Sequence, residues 1–415
     1  MLARAIGADY CAPQGKETRH VETTVSGNRS LVTRTCLVYL TIFAWSGLNQ
    51  PYLPSLLAER GLSEAQIALI VGAPMFARLF VTPLVGRVAD RVGDTRRMIQ
   101  ALALVGVALA LILWQVSGFL AILVLYVAMM MALQNVPPVF DAGAVDLVRR
   151  GIVRNFGRLR VFGSAGFAVT SLIGGVLLGW GGSAAVYAAF VLSVCAMGLA
   201  SFLLPKTDRS PMRHDVPESG ALRRPAVLAM MVAAALVMSS HAMWNSFSVI
   251  HLRELGAPET MIGMMWSIAT ISEMAMFWMG PFVARFLGPV GTLALAAGGA
   301  ALRWGLIALD PGPWPTLFLQ TLHAVSFSCV HLGLQAFVAV TISSARGASA
   351  QATYVTISGT MMGFITLASG PLYHAYGGGA YLFAAALGIA SLAVLFVFRH
   401  RIADELAKGR RHDAA

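Results

Sequence analysis

Runs of about twenty apolar residues recur along nearly the whole chain, and they decide what it can fold into. About twenty helical residues span the hydrocarbon core of a bilayer. Lipid offers no partner to a backbone N–H or C=O, so such runs fold as helices that satisfy their own hydrogen bonds. About twelve runs can be read, at residues 34–56, 64–85, 97–116, 119–147, 157–180, 183–204, 225–251, 258–282, 289–309, 314–343, 349–376 and 379–400. Composition agrees: 57% of the residues are hydrophobic and only 12% are charged, about half the charge of an ordinary soluble domain. That density cannot cover a soluble globule of 415 residues. It excludes a single soluble domain, a disordered chain and a nucleic-acid binder, despite a net charge of +11. The expected fold is an all-α membrane protein with twelve transmembrane helices.

Charges between the runs set the orientation. With an even number of spans, both termini share a side. Segments on that side carry Arg87, Arg91, Arg96 and Arg97, then Arg149, Arg150, Arg154 and Arg158, then Lys206, Arg209, Arg213, Arg223 and Arg224, and finally Arg399, Arg401, Lys408, Arg410 and Arg411. The opposite loops carry only Arg60 and Arg253. Basic loops face the cytoplasm, so both termini are expected there, in a bacterial-type inner membrane with anionic lipid headgroups as partners. Residues 1–33 read as a polar cytoplasmic tail without the apolar core of a cleaved signal peptide, and 401–415 as a second tail. Cys11, Cys36, Cys195 and Cys329 form no CxxC pair. Inert packing is expected of them rather than disulfides or metal binding.

The longest internal polar stretch, 205–224, starts Pro205-Lys206-Thr207-Asp208-Arg209 and separates residues 34–204 from 225–400, six spans on each side. The two halves are related. At an offset of 195 residues, Gly61, Glu64 and Ile67 lie over Gly256, Glu259 and Ile262, Val88-Ala89 over Val283-Ala284, and Gly93 over Gly288. Two pseudo-symmetric six-helix bundles joined by a cytoplasmic linker are a transporter architecture.

The loop after the second span reads Gly86-Arg87-Val88-Ala89-Asp90-Arg91-Val92-Gly93-Asp94-Thr95-Arg96-Arg97. It resembles the signature G-x-x-x-D-R-x-G-[RK]-[RK] of the major facilitator superfamily, with Asp94 at a place that is usually basic. The resemblance implies the superfamily fold, a monomer, and a gating role for Gly86, Asp90, Arg91, Gly93 and Arg97. The alternative is a solvated charged turn. A narrower resemblance covers about residues 34–400. Phe156-Gly157-Arg158-Leu159-Arg160, Leu302-Arg303-Trp304-Gly305, Leu322-His323 and Gly379-Ala380-Tyr381-Leu382 are similar to the lactose permease group. With Ser240-His241 and Glu273 added, the pattern is similar to that group's phenylpropionate permease branch.

Ionisable groups within spans are costly and face the bundle interior, so each is a functional candidate. Asp141 follows Pro137-Pro138 on the fourth span, and Arg160 opens the fifth. Together they resemble the substrate-gripping pair of lactose permease; the plain alternative is a structural salt bridge. Glu273 sits mid-span, and its counterpart at the 195 offset is Arg78. Glu273, Arg303 and His323 match the proton-coupling set of lactose permease, against a static ion pair between Glu273 and Arg303. Histidine titrates near neutral pH, which suits proton-linked transport. His241, with Trp244 and Asn245, is a further substrate-pocket candidate. His331 lies eight residues after His323, about 80° round a helix, and is expected to pack.

Departures from lactose permease reduce the second-half network. Ser326 stands where that protein has an acid, and Gln320 and the Met361-Met362 region where it has basic residues. Arg78, Arg160 and Arg303, with Trp45, Trp244, Trp266, Trp304 and several methionines, suit a flat apolar carboxylate: arginine grips the carboxylate and aromatic surfaces hold the body. Ordinary helix packing explains most of those aromatic residues.

The expected function is secondary active transport, as an H+ symporter importing a small aromatic or hydrophobic carboxylate. A sugar or nucleoside symporter is the alternative. Drug efflux is a third reading, weakened because the fifth span, Gly163-Ser164-Ala165-Gly166-Phe167, lacks the Gly-Pro motif of exporters. An enzyme is not expected, since no HExxH, G-x-S-x-G or P-loop is present in a supporting context. The implied partners are a small molecule and protons. No cofactor and no metal are expected.

Overall fold

Helices follow from the apolar runs, and glycine and proline decide where they stop. The computed structural model describes residues 18–149, 156–204, 221–343 and 346–413, without side-chain detail at 18–29, 90, 142–143, 145–158, 221, 281, 348 and 409–413. Among the described residues there is no strand. Ten helical segments are long and apolar enough to cross a membrane: Ser30–Glu59, Glu64–Ala89, Thr95–Gln115, Phe119–Asp141, Leu159–Leu203, Pro225–Glu254, Glu259–Gly280, Phe282–Ile307, Pro313–Thr341 and Ser349–Val397. Leu159–Leu203 and Ser349–Val397 are 45 and 49 residues long. The first breaks its helical backbone at Gly181 and Gly182, and the second turns through a short 3-10 segment at Gly377–Ala380. Each is therefore long enough for two crossings, in accord with twelve transmembrane helices. The protein is an all-α integral membrane protein.

Backbone conformation carries the duplication further than residue identities do. Eight glycines among the described residues have positive φ: Gly61, Gly93, Gly118, Gly182, Gly256, Gly288, Gly312 and Gly377. Gly61, Gly93 and Gly182 fall on Gly256, Gly288 and Gly377 at the offset of 195, and Gly118 falls within one residue of Gly312. The same turns recur in the same order in both chain halves. At Gly93 the helix Glu64–Val92 ends (φ +67°), and its N–H bonds the Ala89 carbonyl at 3.0 Å. A side chain would strain that left-handed turn.

Two compact units are present. One comprises Met1–Asn49, Phe80–Thr170 and Ala185–Met212; the other comprises Gln50–Leu79, Ser171–Ala184 and Arg213–Ala415. The second thus takes in chain from both sides of the 205–224 stretch, of which 205–220 lies outside the described residues. Small residues let helices approach closely within each unit, as membrane packing favours. In the first, Gly166 lies against the Leu40 backbone, with no room for a Cβ. In the second, Gly388 lies against the backbone of Ala297 and Ala301, where a Cβ would come within 2.8 Å. Cys36 and Cys329 are buried free thiols and Cys195 is a partly buried one; Cys11 lies outside the described residues.

Helix breaks fall where candidate site residues stand. The fourth span is interrupted between Phe119–Leu133 and Val136–Arg149. Pro137 and Pro138 occupy the first turn of the new helix, where missing N–H donors cost nothing, and the Asn135 side chain caps the freed Met131 carbonyl at 2.6 Å. The seventh span breaks at Ser240–His241, between Pro225–Ser239 and Ala242–Glu254. The tenth passes from Pro313–Leu319 through a 3-10 turn at Gln320–Leu322 into a π-helical turn at Ala324–Ser328, with His323 at the junction.

Candidate functional site

In the second unit, the geometry centres on Arg303. This guanidinium is fully buried, which is tolerable only if its donors are met. Nη2 donates to Gln320 Oε1 at 2.6 Å. Nη1 reaches His323 Nδ1 at 3.1 Å and Ser326 Oγ at 3.5 Å. Its carbon lies 4.1 Å from the Trp304 ring centroid, a cation–π contact. Trp304, itself fully buried, donates to Ser240 Oγ at 2.8 Å. Nε has no partner among the described residues.

Arginine can only donate, so the His323 Nδ1 that faces it must accept. A neutral His323 then carries its proton on Nε2, the nitrogen 3.6 Å from Glu273 Oε2. The result is a chain of polar contacts, Gln320–Arg303–His323–Glu273, hydrogen-bonded as far as His323 and ending in a 3.6 Å ion-pair contact. Both ends of its last step are partly open, with side-chain exposure of 18% for His323 and 17% for Glu273. A branch runs through Ser326 to His241 Nε2 at 3.1 Å. His241 Nδ1 faces the Val237 carbonyl at 3.1 Å, which also accepts from the Ser240 N–H at the break in that helix. The imidazoles of His241 and His323 stand edge to face, 5.2 Å apart.

The structure therefore brings together Glu273, Arg303, His323 and His241, with Trp244 beside them 6.2 Å from Trp304. Among the described residues, Glu273 and Arg303 both contact His323 and form no ion pair with each other. Arg78 is exposed and makes no hydrogen bond or ion pair among the described residues, and Asn245 is half-buried. His331 packs between Phe277 and Phe327, at 6.3 and 4.9 Å. Gln320 and Ser326 enter as working members. Both stand three residues from His323, so helical spacing alone places them on its face.

In the first unit, the Tyr39 hydroxyl donates to Asp141 Oδ1 at 2.6 Å. Arg160 acts on Asp141 electrostatically, while its guanidinium carbon lies 3.9 Å from the Phe43 ring centroid. Asp141 and Arg160 are thus neighbours, with Tyr39 and Phe43 as immediate partners. Nothing in the sequence singled out those two aromatic residues.

The charged turn at 86–97 has a structural reason for its odd member. Asp94 caps the next helix, accepting from the Arg96 and Arg97 N–H groups at 2.9 and 3.4 Å. Its other oxygen lies 3.5 Å from Arg97 Nε. A basic residue could not cap in this way. Arg91 is exposed, Gly86 is helical, and the Asp90 side chain lies outside the described residues.

A helical membrane chain with duplicated halves, and with a buried arginine joined to a partly open histidine and glutamate, has the build of a secondary transporter. The sequence profile of the MFS_1 like family matches residues 32–385. The chain belongs to that family and is a transporter of the major facilitator superfamily, not an enzyme. It is 24% identical over 354 residues to the Escherichia coli (strain K12) protein named Probable 3-phenylpropionic acid transporter, covering 83% of this chain and 92% of that one. It is 30% identical over 387 residues to the Maltose permease of Geobacillus stearothermophilus, covering 89% and 95%. A crystal structure of the nucleoside transporter NupG in a mutant form shares the fold with a TM-score of 0.77 at 17% identity, covering 89% of this chain and 100% of that one.

Proposed function

We propose that the protein is an H+ symporter that imports a small aromatic or hydrophobic carboxylate by alternating access. It would act as a monomer in a bacterial cytoplasmic membrane, with both termini in the cytoplasm. The observation that carries the reading is the Arg303–His323–Glu273 path. It places a carboxyl and an imidazole, two groups able to bind a proton, next to a buried fixed charge. The similarity to the 3-phenylpropionic acid transporter supports a carboxylate. Asp141 and Tyr39 would orient Arg160.

A second reading is a sugar or nucleoside symporter, favoured by the 30% identity to Maltose permease. One experiment separates the two. The protein is reconstituted in liposomes under an inward proton gradient, and uptake of 3-phenylpropionate, maltose and uridine is compared. The carboxylate reading expects accumulation of 3-phenylpropionate that collapses with a protonophore. Accumulation of maltose or uridine alone would replace it with the second reading.

A further inference from the structure

Asp310 is the one non-glycine residue with positive φ (+49°) among the described residues. That conformation costs an ordinary side chain about 1–2 kcal/mol, least for Asp and Asn. The carboxylate, 42% exposed, lies 3.0 Å from Nε2 of His251, which is only 5% exposed. Gly378 forms its seat, and a Cβ there would overlap the carboxylate. The His251 ring also packs 5.6 Å from that of Tyr381. Tyr381 is fully buried, and its hydroxyl has no hydrogen-bond partner among the described residues. That hydroxyl interacts electrostatically with Arg303, Asp310 and Glu254. Glu254 accepts from the Tyr373 hydroxyl at 2.7 Å. The nearby charges are engaged elsewhere: Arg253 with Glu59 at 2.7 Å, and His374 with Glu64 at 3.3 Å. A strained backbone, a made-to-measure seat and an unmet buried hydroxyl are three costs converging on one place, and such costs collect at functional sites.

We propose that Asp310 and His251 form a second proton-binding site, separate from Glu273, that takes protons from the outer solution. This rests on the proton-coupled reading above and on the orientation set by the basic loops. Uptake of one proton converts a neutral imidazole beside a carboxylate into an imidazolium–carboxylate pair; no other bond forms or breaks. The pair's net charge changes from −1 to 0, and Tyr381 interacts electrostatically with both Asp310 and Arg303. Histidine is the side chain suited to making it near neutral pH.

The test uses infrared difference spectroscopy of the full-length protein in liposomes during a change of external pH. Asn keeps the Asp310 turn, so D310N separates chemistry from folding. A titrating carboxylate and imidazole signal is expected in the wild type and in E273Q, and its loss is expected in D310N and H251Q. Identical signals in wild type and D310N would overturn the site. A second readout is 3-phenylpropionate uptake at fixed internal pH. Flattening of its external-pH profile in H251Q supports the site, and a profile superimposable on the wild type contradicts it. If E273Q accumulates substrate like the wild type, the coupling reading fails. The infrared comparison still decides the Asp310–His251 site, because it needs no transport.

Discussion

Arg303 holds a full positive charge in a fully buried position, yet no carboxylate touches it among the described residues. Gln320, His323, Ser326 and the face of Trp304 share the charge instead. An arrangement of neutral acceptors leaves the acid, Glu273, one step away and partly open, where it can gain or lose a proton without stripping Arg303 of its partners. Asp141 is served differently, by a short bond from Tyr39 and by the charge of Arg160. Tyr39→Phe removes that donor and leaves the carboxylate short of a partner, a loss of about 1–3 kcal/mol. The expected outcome is a lower unfolding temperature, read by a thiol-reactive dye that reports exposure of the buried Cys36 and Cys329. Glu273, Arg303, His323 and His241 were legible as residues because charge and imidazole stand out in an apolar run. Tyr39 and Tyr381 were not, because a tyrosine in a span reads as packing until its hydroxyl is located. Its partner lies far away in the chain: 102 residues separate Tyr39 from Asp141.

Elements show a similar division. The turn at Gly93 and its repeat at Gly288 could be read from the sequence, since both lie at aligned places in related halves. Gly288 breaks the helical backbone within the segment Glu259–Ile307, at φ +64° and ψ 178°. Gly288→Ala forces a left-handed side chain there, costing about 1–2 kcal/mol. Gly298, in the same segment, has helical backbone and open space beside its Cα. Gly298→Ala is expected to hold or raise stability, since glycine weakens a helix interior by about 0.5–1 kcal/mol. Thermal unfolding of the two variants should move in opposite directions, and equal losses would contradict the backbone argument. The break in the fourth span was announced by Pro137-Pro138. Those at Ser240–His241 and at Ala324–Ser328 carry no proline and no glycine. At the seventh-span break the Val237 carbonyl is met locally, by the Ser240 N–H and the His241 ring, and no helix-breaking residue type announces it. A π-helical turn beside His323 is the kind of irregularity that gathers at functional sites.

At the scale of the molecule, the apolar runs and the charge bias between them made the fold class and the superfamily readable. Low charge density made the few intramembrane charges conspicuous, and the structure joins three of them into one path. Substrate choice is less legible, because it depends on which apolar surfaces face the bound molecule. Relatives that carry different cargoes in their names share this architecture. The central claim is that Glu273 couples a proton to transport. Glu273→Gln keeps the size and polarity of the side chain but cannot ionise. The decisive measurement compares, in one liposome preparation, gradient-driven 3-phenylpropionate accumulation with gradient-free exchange across the membrane. The account predicts that Glu273→Gln abolishes accumulation while exchange continues. Accumulation at the wild-type level in Glu273→Gln would contradict it.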